Sequence, residues 1–221
     1  RDMADCAGFT MPLLDQKEFR EAHRLMDPAD QAHLFQGSFR FRHCFAAAAN
    51  LAMVTRAVHA RGHAVGDMRD TNVLISSDAR VCLIDCDSFQ IRDPDTGTVY
   101  PTRVGTPEYL APEFLGPFPP ASHEARLLAD RFVLAVLIFR LLMDGCHPFQ
   151  ARGLLVSGSH TTAEKVRRGR FPYQEGLYGV SPPAFAPSYT DRLPAPVRHL
   201  FERCFITGHR NPPARPSAAE W

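Results

Sequence analysis

The spacing of apolar positions divides the chain into a helical body interrupted by two short strands. From about Phe39 to Ala60, Phe45, Ala48, Ala49, Leu51, Ala52, Thr55 and Val58 recur at intervals of three and four, which predicts a helix whose alanines allow close packing. Gly62 ends it in the manner of a helix cap. Asn72–Ile75 and Arg80–Ile84 read as two strands joined by the turn residues 76–79, hence a hairpin. A strongly apolar helix is predicted over about 127–144, with shorter helices near Thr161–Arg168 and over about Ala195–Phe205. Ser217 followed three residues later by Glu220 opens a further helix with a capping box. Gly8–Leu14 reads as a short apolar strand, and residues 17–40 as polar and mixed around the turn at 27–30. Residues 91–120 hold seven of the 19 prolines and read as one long ordered loop, a length that usually serves function. The fold class is α+β, mostly α-helical with a small β-hairpin.

Composition narrows this little. Of 221 residues, 45% are hydrophobic and 22% charged, as expected of a chain with a real core. The net charge of +1 and the lack of a basic run leave no footprint for nucleic acid or for a membrane surface. The longest apolar stretch, Phe132–Met143, is interrupted by Arg140 and falls short of the roughly 20 residues a spanning helix needs. Six scattered cysteines lack zinc or redox spacing and are expected to be reduced and mostly buried, which places the protein in the cytoplasm. The chain begins with Arg rather than Met and is expected to be a piece of something longer.

The chemistry concentrates in residues 65–90. Asp67 and Asn72 lie five apart where a helix gives way to the hairpin, and Asp85 stands at the end of the second strand. A carboxylate base and two oxygen ligands on one edge of a hairpin suit phosphoryl transfer. Mg²⁺ favours such hard oxygens, and the nucleophile needs a positioned proton acceptor.

Val65–Ile75 resembles the protein-kinase catalytic loop H-R-D-L-x-x-x-x-N, and Asp85-Cys86-Asp87 stands where that family has D-F-G. Gly105-Thr106-Pro107-Glu108-Tyr109-Leu110-Ala111-Pro112-Glu113 resembles the end of the activation segment, G-T-x-x-Y-x-A-P-E. The order of motifs is similar to that of the eukaryotic-type Ser/Thr protein kinases from about residue 8 to 221. The resemblance implies a kinase carboxy-terminal lobe over 15–221, with catalytic loop 65–75, activation segment 85–113 and central helix about 127–144. Residues 1–14 would be a remnant of the last amino-terminal-lobe strand and the hinge, most of that lobe being missing. It implies ATP and Mg²⁺ as cofactors and a protein Ser/Thr hydroxyl as substrate. Asp67 would be the catalytic base, Thr106 its contact and Arg69 the phosphate-facing cation. Asn72 and Asp85 would hold the metal, Met11 and Leu13 the nucleotide. Glu113 would pair with Arg215, and Asp130 would hold the catalytic-loop backbone.

The segment Asp85-Cys86-Asp87-Ser88-Phe89-Gln90 also resembles a bacterial branch associated with helix-hairpin-helix regions. Such kinases are similar to those encoded beside a metal-dependent phosphatase and a von Willebrand-type A protein in stress- or tellurium-resistance-type clusters.

Several positions depart from the family pattern. Val65-Gly66 removes the arginine that would gather a phosphorylated loop, so activity is expected not to depend on such phosphorylation. Asp87 in place of Gly is expected to strain the backbone and add negative charge, and Ala135 replaces a customary Gly in the central helix. The chain has no G-x-G-x-x-G loop and no strand Lys, so alone it is expected to be largely inactive. A pseudokinase that binds a partner is one rival reading. The other is a small-molecule phosphotransferase of the aminoglycoside or choline type, which shares Gly66-Asp67 but not the Ala111-Pro112-Glu113 segment.

Overall fold

The computed structural model describes residues 11–15, 17–117, 119–153 and 161–221. Along the chain run β1 (Phe19–Glu21), α1 (Ala22–Met26), α2 (Pro28–His33), α3 (Phe41–Ala60), β2 (Val73–Ser76) and β3 (Val81–Leu83). Then follow β4 (Ile91–Arg92), β5 (Val99–Tyr100), α4 (His123–Leu142), α5 (Thr162–Arg168), α6 (Tyr189–Arg192), α7 (Ala195–Glu202) and α8 (Gly208–Arg210). No helix among the described residues is long and apolar enough to cross a membrane.

α4 is the axis of the fold. Ser122 caps its first turn by accepting from the Ala125 N–H, so the helix starts four residues before the expected 127. From Phe132 to Phe139 every residue is buried, as befits a helix enclosed on all sides. α3 packs along it through Ala47, Ala48, Leu51 and Ala52, whose short side chains let the helices approach. On another side, Phe139 meets Phe201 edge to face at 5.0 Å, and Phe132 meets Phe205 likewise at 5.5 Å. α7 continues beyond its expected end as a π-helical turn over Arg203–Thr207, which carries Cys204 and Phe205 into this core.

β2 and β3 pair antiparallel with Val73 opposite Leu83, as the hairpin reading requires. Its turn needs a left-handed residue, which Ala79 supplies at φ +67° while Asn50 of α3 donates to its carbonyl at 2.8 Å. The three-residue β1 joins the other edge, with Phe19 opposite Ser76, making a three-stranded sheet of order β1-β2-β3. The strand falls in the stretch 17–40, which read only as polar and mixed. It holds three residues and has no alternation to reveal it. The long loop likewise contains a small ribbon, β4 against β5.

Residues 8–10 of the expected first strand lie outside the described residues, and 11–15 form no strand. Pro12 offers no N–H to a neighbouring strand there. Among the described residues Cys44, Cys146 and Cys204 are buried free thiols, Cys82 is partly buried, and Cys86 is exposed in a 3₁₀ turn.

Candidate active site

Three elements converge on one edge of the hairpin. The loop between α3 and β2 carries Asp67, Arg69 and Asn72, the end of β3 carries Asp85, and the segment leading to α4 returns Thr106. Asp130 of α4 fixes the first of these from below. Buried in the core, its carboxylate accepts from the Val65 N–H at 2.6 Å and from His59 Nε2 at 3.0 Å. The Gly66 N–H lies 3.4 Å from its other oxygen. Asp130 therefore holds the backbone of the loop that follows α3, and does not cap its own helix.

On that support Asp67 presents one oxygen, Oδ1, to both the N–H and the hydroxyl of Thr106, each at 3.0 Å. Its other oxygen lies 3.4 Å from Arg69 Nε, an ion-pair contact rather than a well-aligned hydrogen bond. Asn72 donates through Nδ2 to the Asp67 carbonyl at 3.0 Å and to Asp85 Oδ2 at 3.3 Å. No donor among the described residues reaches its amide oxygen. Asp67, Arg69, Asn72, Asp85 and Thr106 are thus brought together.

Asp85 adopts a left-handed conformation, φ +64°. This corrects the expectation that Asp87 would bear the strain, because Asp87 sits in an ordinary 3₁₀ turn over Cys86–Ser88. Aspartate is among the few residues that tolerate left-handed geometry. The Ser88 hydroxyl, donating to the Asp85 carbonyl at 2.8 Å, ties the turn shut. Hydrogen bonding to Asp87 pushes the Asp85 carboxyl above its ordinary range. Desolvation and the charges of Asp87 and Asp67 add to this shift, and Arg69 opposes it. Arg69 offsets only part of this crowding of carboxylates, and the oxygens of Asn72 and Asp85 are of the hard type that Mg²⁺ takes.

Gly66 has a specific reason to be glycine. Its φ is +79°, and a Cβ there would stand 2.3 Å from the Ser88 carbonyl oxygen and 2.9 Å from Thr102 Cγ2. No arginine side chain fits in that gap. The downstream segment packs directly on the loop between α3 and β2 instead. Ala64 and Gln90 exchange backbone hydrogen bonds at 3.0 and 2.9 Å, and Arg126 holds the Thr102 carbonyl at 3.2 Å.

Two clefts flank the assembly. One of about 290 Å³ is lined by Asp67, Asp85, Asp87, Ser88 and residues 101–104. The other, of about 560 Å³, is lined by Leu14, Asp15, Phe19, Arg20, Glu21, Arg24, Leu74 and Ile84. Met11 and Leu13 do not line it and are 71% and 97% exposed. The sequence reading missed Leu74 and Ile84. Their signal was adjacency: Ile84 precedes Asp85 and Leu74 lies two beyond Asn72.

In the turn just after Ala111, Arg215 meets Glu113 with two parallel 2.8 Å bonds. It also donates to the carbonyls of Gly208 at 2.8 Å and Leu128 at 3.0 Å. His59 bonds the Asp130 carboxylate at 3.0 Å and His147 the Glu108 carbonyl at 3.1 Å.

A fold built on a buried central helix, with this loop, metal-type ligand pair and carboxyl-terminal segment on its edge, is that of a protein kinase. The protein kinase domain family matches residues 15–221, and the chain belongs to that family. It is 30% identical over 227 residues to "Protein kinase YegI" of Escherichia coli O157:H7, covering 97% of this chain and 32% of that protein. The protein of the same name from Escherichia coli strain K12 is 29% identical over 221 residues, with the same coverage. The chain thus spans about a third of the length of these curated relatives.

Proposed function

We propose that the intact protein transfers the γ-phosphate of ATP to serine or threonine hydroxyls of protein substrates. The observation that carries this reading is the single carboxylate, Asp67, gripped on Oδ1 by Thr106. Oδ2 is thereby left to accept a hydroxyl proton. The substrate oxygen bonds to the γ-phosphorus as the β–γ bridging bond breaks, ADP departs, and the proton passes to Asp67. Asn72 and Asp85 hold Mg²⁺, which neutralises phosphate charge when bound. Arg69 adds a cation beside the base, and the cleft floored by Leu74 and Ile84 receives the nucleotide base.

Residues 65–75 serve as catalytic loop and 85–113 as activation segment. The close contact of Gly66 with Ser88 supports a segment set in place without phosphorylation. Lacking a glycine-rich loop and a strand Lys, residues 1–221 alone transfer phosphate poorly. The placement in a bacterial branch and beside a metal-dependent phosphatase and a von Willebrand-type A protein rests on the resemblance of Asp85–Gln90, and the placement in the cytoplasm on the cysteine usage.

The test is γ-phosphate transfer from ATP·Mg²⁺ by the intact protein, with phosphoamino-acid analysis of the product. Phosphoserine or phosphothreonine is expected, with the rate unchanged when exposed Thr96 and Thr98 are each replaced by Asp. Phosphotyrosine would overturn the substrate class, and activation by either Asp substitution would overturn phosphorylation independence.

A further inference from the structure

Arg140 is the one charged residue between Phe132 and Met143, in the last turn of the buried helix α4. A charge there is costly unless paired, so its partners explain its presence. Nη1 donates to Asp70 Oδ2 at 2.7 Å and also to the Tyr109 hydroxyl, while Nε donates to the Gly145 carbonyl at 3.2 Å. The guanidinium carbon lies 5.5 Å from the centre of the Tyr109 ring.

These partners belong to the two arms of the active site at matching offsets. Asp70 lies three residues beyond Asp67, and Tyr109 three residues beyond Thr106. A turn closed by the Tyr109 N–H on the Thr106 carbonyl at 2.8 Å makes the second arm stiff. The first is stiffened by the Asn72 N–H on the Arg69 carbonyl at 2.9 Å. Thr106 then bonds Asp67, so the path closes into a ring through Asp67, Thr106, Tyr109, Arg140 and Asp70. His147 steadies the same turn by donating to the Glu108 carbonyl at 3.1 Å.

We infer that Arg140 is a positioning residue that keeps Thr106 seated on Asp67 by clamping the catalytic loop to the activation segment. It touches neither reacting atom. Deleting one end of the clamp frees the Thr106 arm to drift from the base, and a misplacement of about 1 Å near the chemistry costs roughly 100-fold in rate. The inference rests on the kinase reading for its effect on turnover, but not for the coupling itself.

The experiment therefore has two readouts on the intact protein. The first is hydrogen–deuterium exchange over residues 104–110, with α3 and α4 as the measure of an intact fold. The second is kcat and KM for ATP and for a protein substrate. The variants are Arg140→Ala, Arg140→Lys and Tyr109→Phe, the last removing only a hydroxyl and so sparing the fold. Arg167→Ala on the surface is the control.

In Tyr109→Phe and Arg140→Ala, the 104–110 segment is expected to exchange faster while α3 and α4 stay protected. With Arg140→Ala, kcat falls about 100-fold while KM for ATP moves about twofold or less. Lys restores the charge without the planar fork and recovers part of the loss. Unchanged exchange over 104–110 in both Tyr109→Phe and Arg140→Ala overturns the inference. So does an equal loosening of α3 and α4, which marks Arg140 as core support only. If the parent protein transfers no phosphate, the kinase reading falls, and the exchange result alone decides the clamp.

Discussion

The segment 85–113 is fastened at both ends, and the two fastenings are built on opposite principles. At Glu113 the partner is Arg215, 1% exposed, whose guanidinium is committed to a carboxylate and two backbone carbonyls. A charge so buried is stable only while every partner stays in place. At the Asp85 end the carboxylates of Asp85 and Asp87 are exposed, like charges face one another, and the contact to buried Asn72 is a long 3.3 Å. The first end is closed by its partners; the second is crowded with like charge and, on the proposed function, is completed by a cation and a phosphate. Stability and chemistry therefore sit at different ends of one segment, and substitutions should separate them.

The largest loss of stability is expected at the closed end. Arg215→Ala leaves Glu113 without its partner and should cost about 3–5 kcal/mol, read as a fall in denaturation midpoint. Gly66→Ala, at the contact between the catalytic loop and the segment, should cost about 1–3 kcal/mol, since the new methyl overlaps the Ser88 carbonyl at an unfavourable φ. Equal losses from the two would erase the contrast.

His147 gives a smaller, pH-dependent effect midway along the segment. Its Nδ1 accepts from the Phe149 N–H, which leaves Nε2 to carry the proton donated to Glu108. Burial pushes its pKa down to about 3, with the nearby Arg140 charge acting in the same direction. The unfolded chain therefore binds a proton that the folded one refuses. The neutral ring's contribution is present above the unfolded value near 6.5 and is lost as pH falls from there toward 3. A melting series across that range should show a steeper acid decline in the parent than in His147→Gln.

Least disturbing to the fold is Thr106→Ala, expected to cost about 1 kcal/mol of stability through its side-chain hydrogen bond while lowering phosphate transfer much further.

Much of this arrangement was legible because it is local. α3, the hairpin and α4 each announce themselves by periodicity over several turns or by a turn signal. Asp67, Asn72, Asp85 and Thr106 lie in short motifs whose spacing survives folding. What escaped notice depends on distant partners. β1 is three residues whose pairing partner Ser76 lies far along the chain. Leu74 and Ile84 acquire meaning only when a cleft forms over them. Asp85, not Asp87, took the left-handed conformation because the torsion falls where strand gives way to turn. Arg140 left a trace, a lone charge in an apolar run, but its two partners are 70 and 31 positions away in sequence.

The measurement that bears most directly on the central claim is γ-phosphate transfer by the intact protein and its Asp67→Asn form, each with its melting temperature. The account expects activity in the parent, loss of transfer by about a thousandfold or more in Asp67→Asn, and a melting temperature shifted by only a few degrees. Equal transfer by both forms, or none by a folded parent given ATP and Mg²⁺, would contradict it.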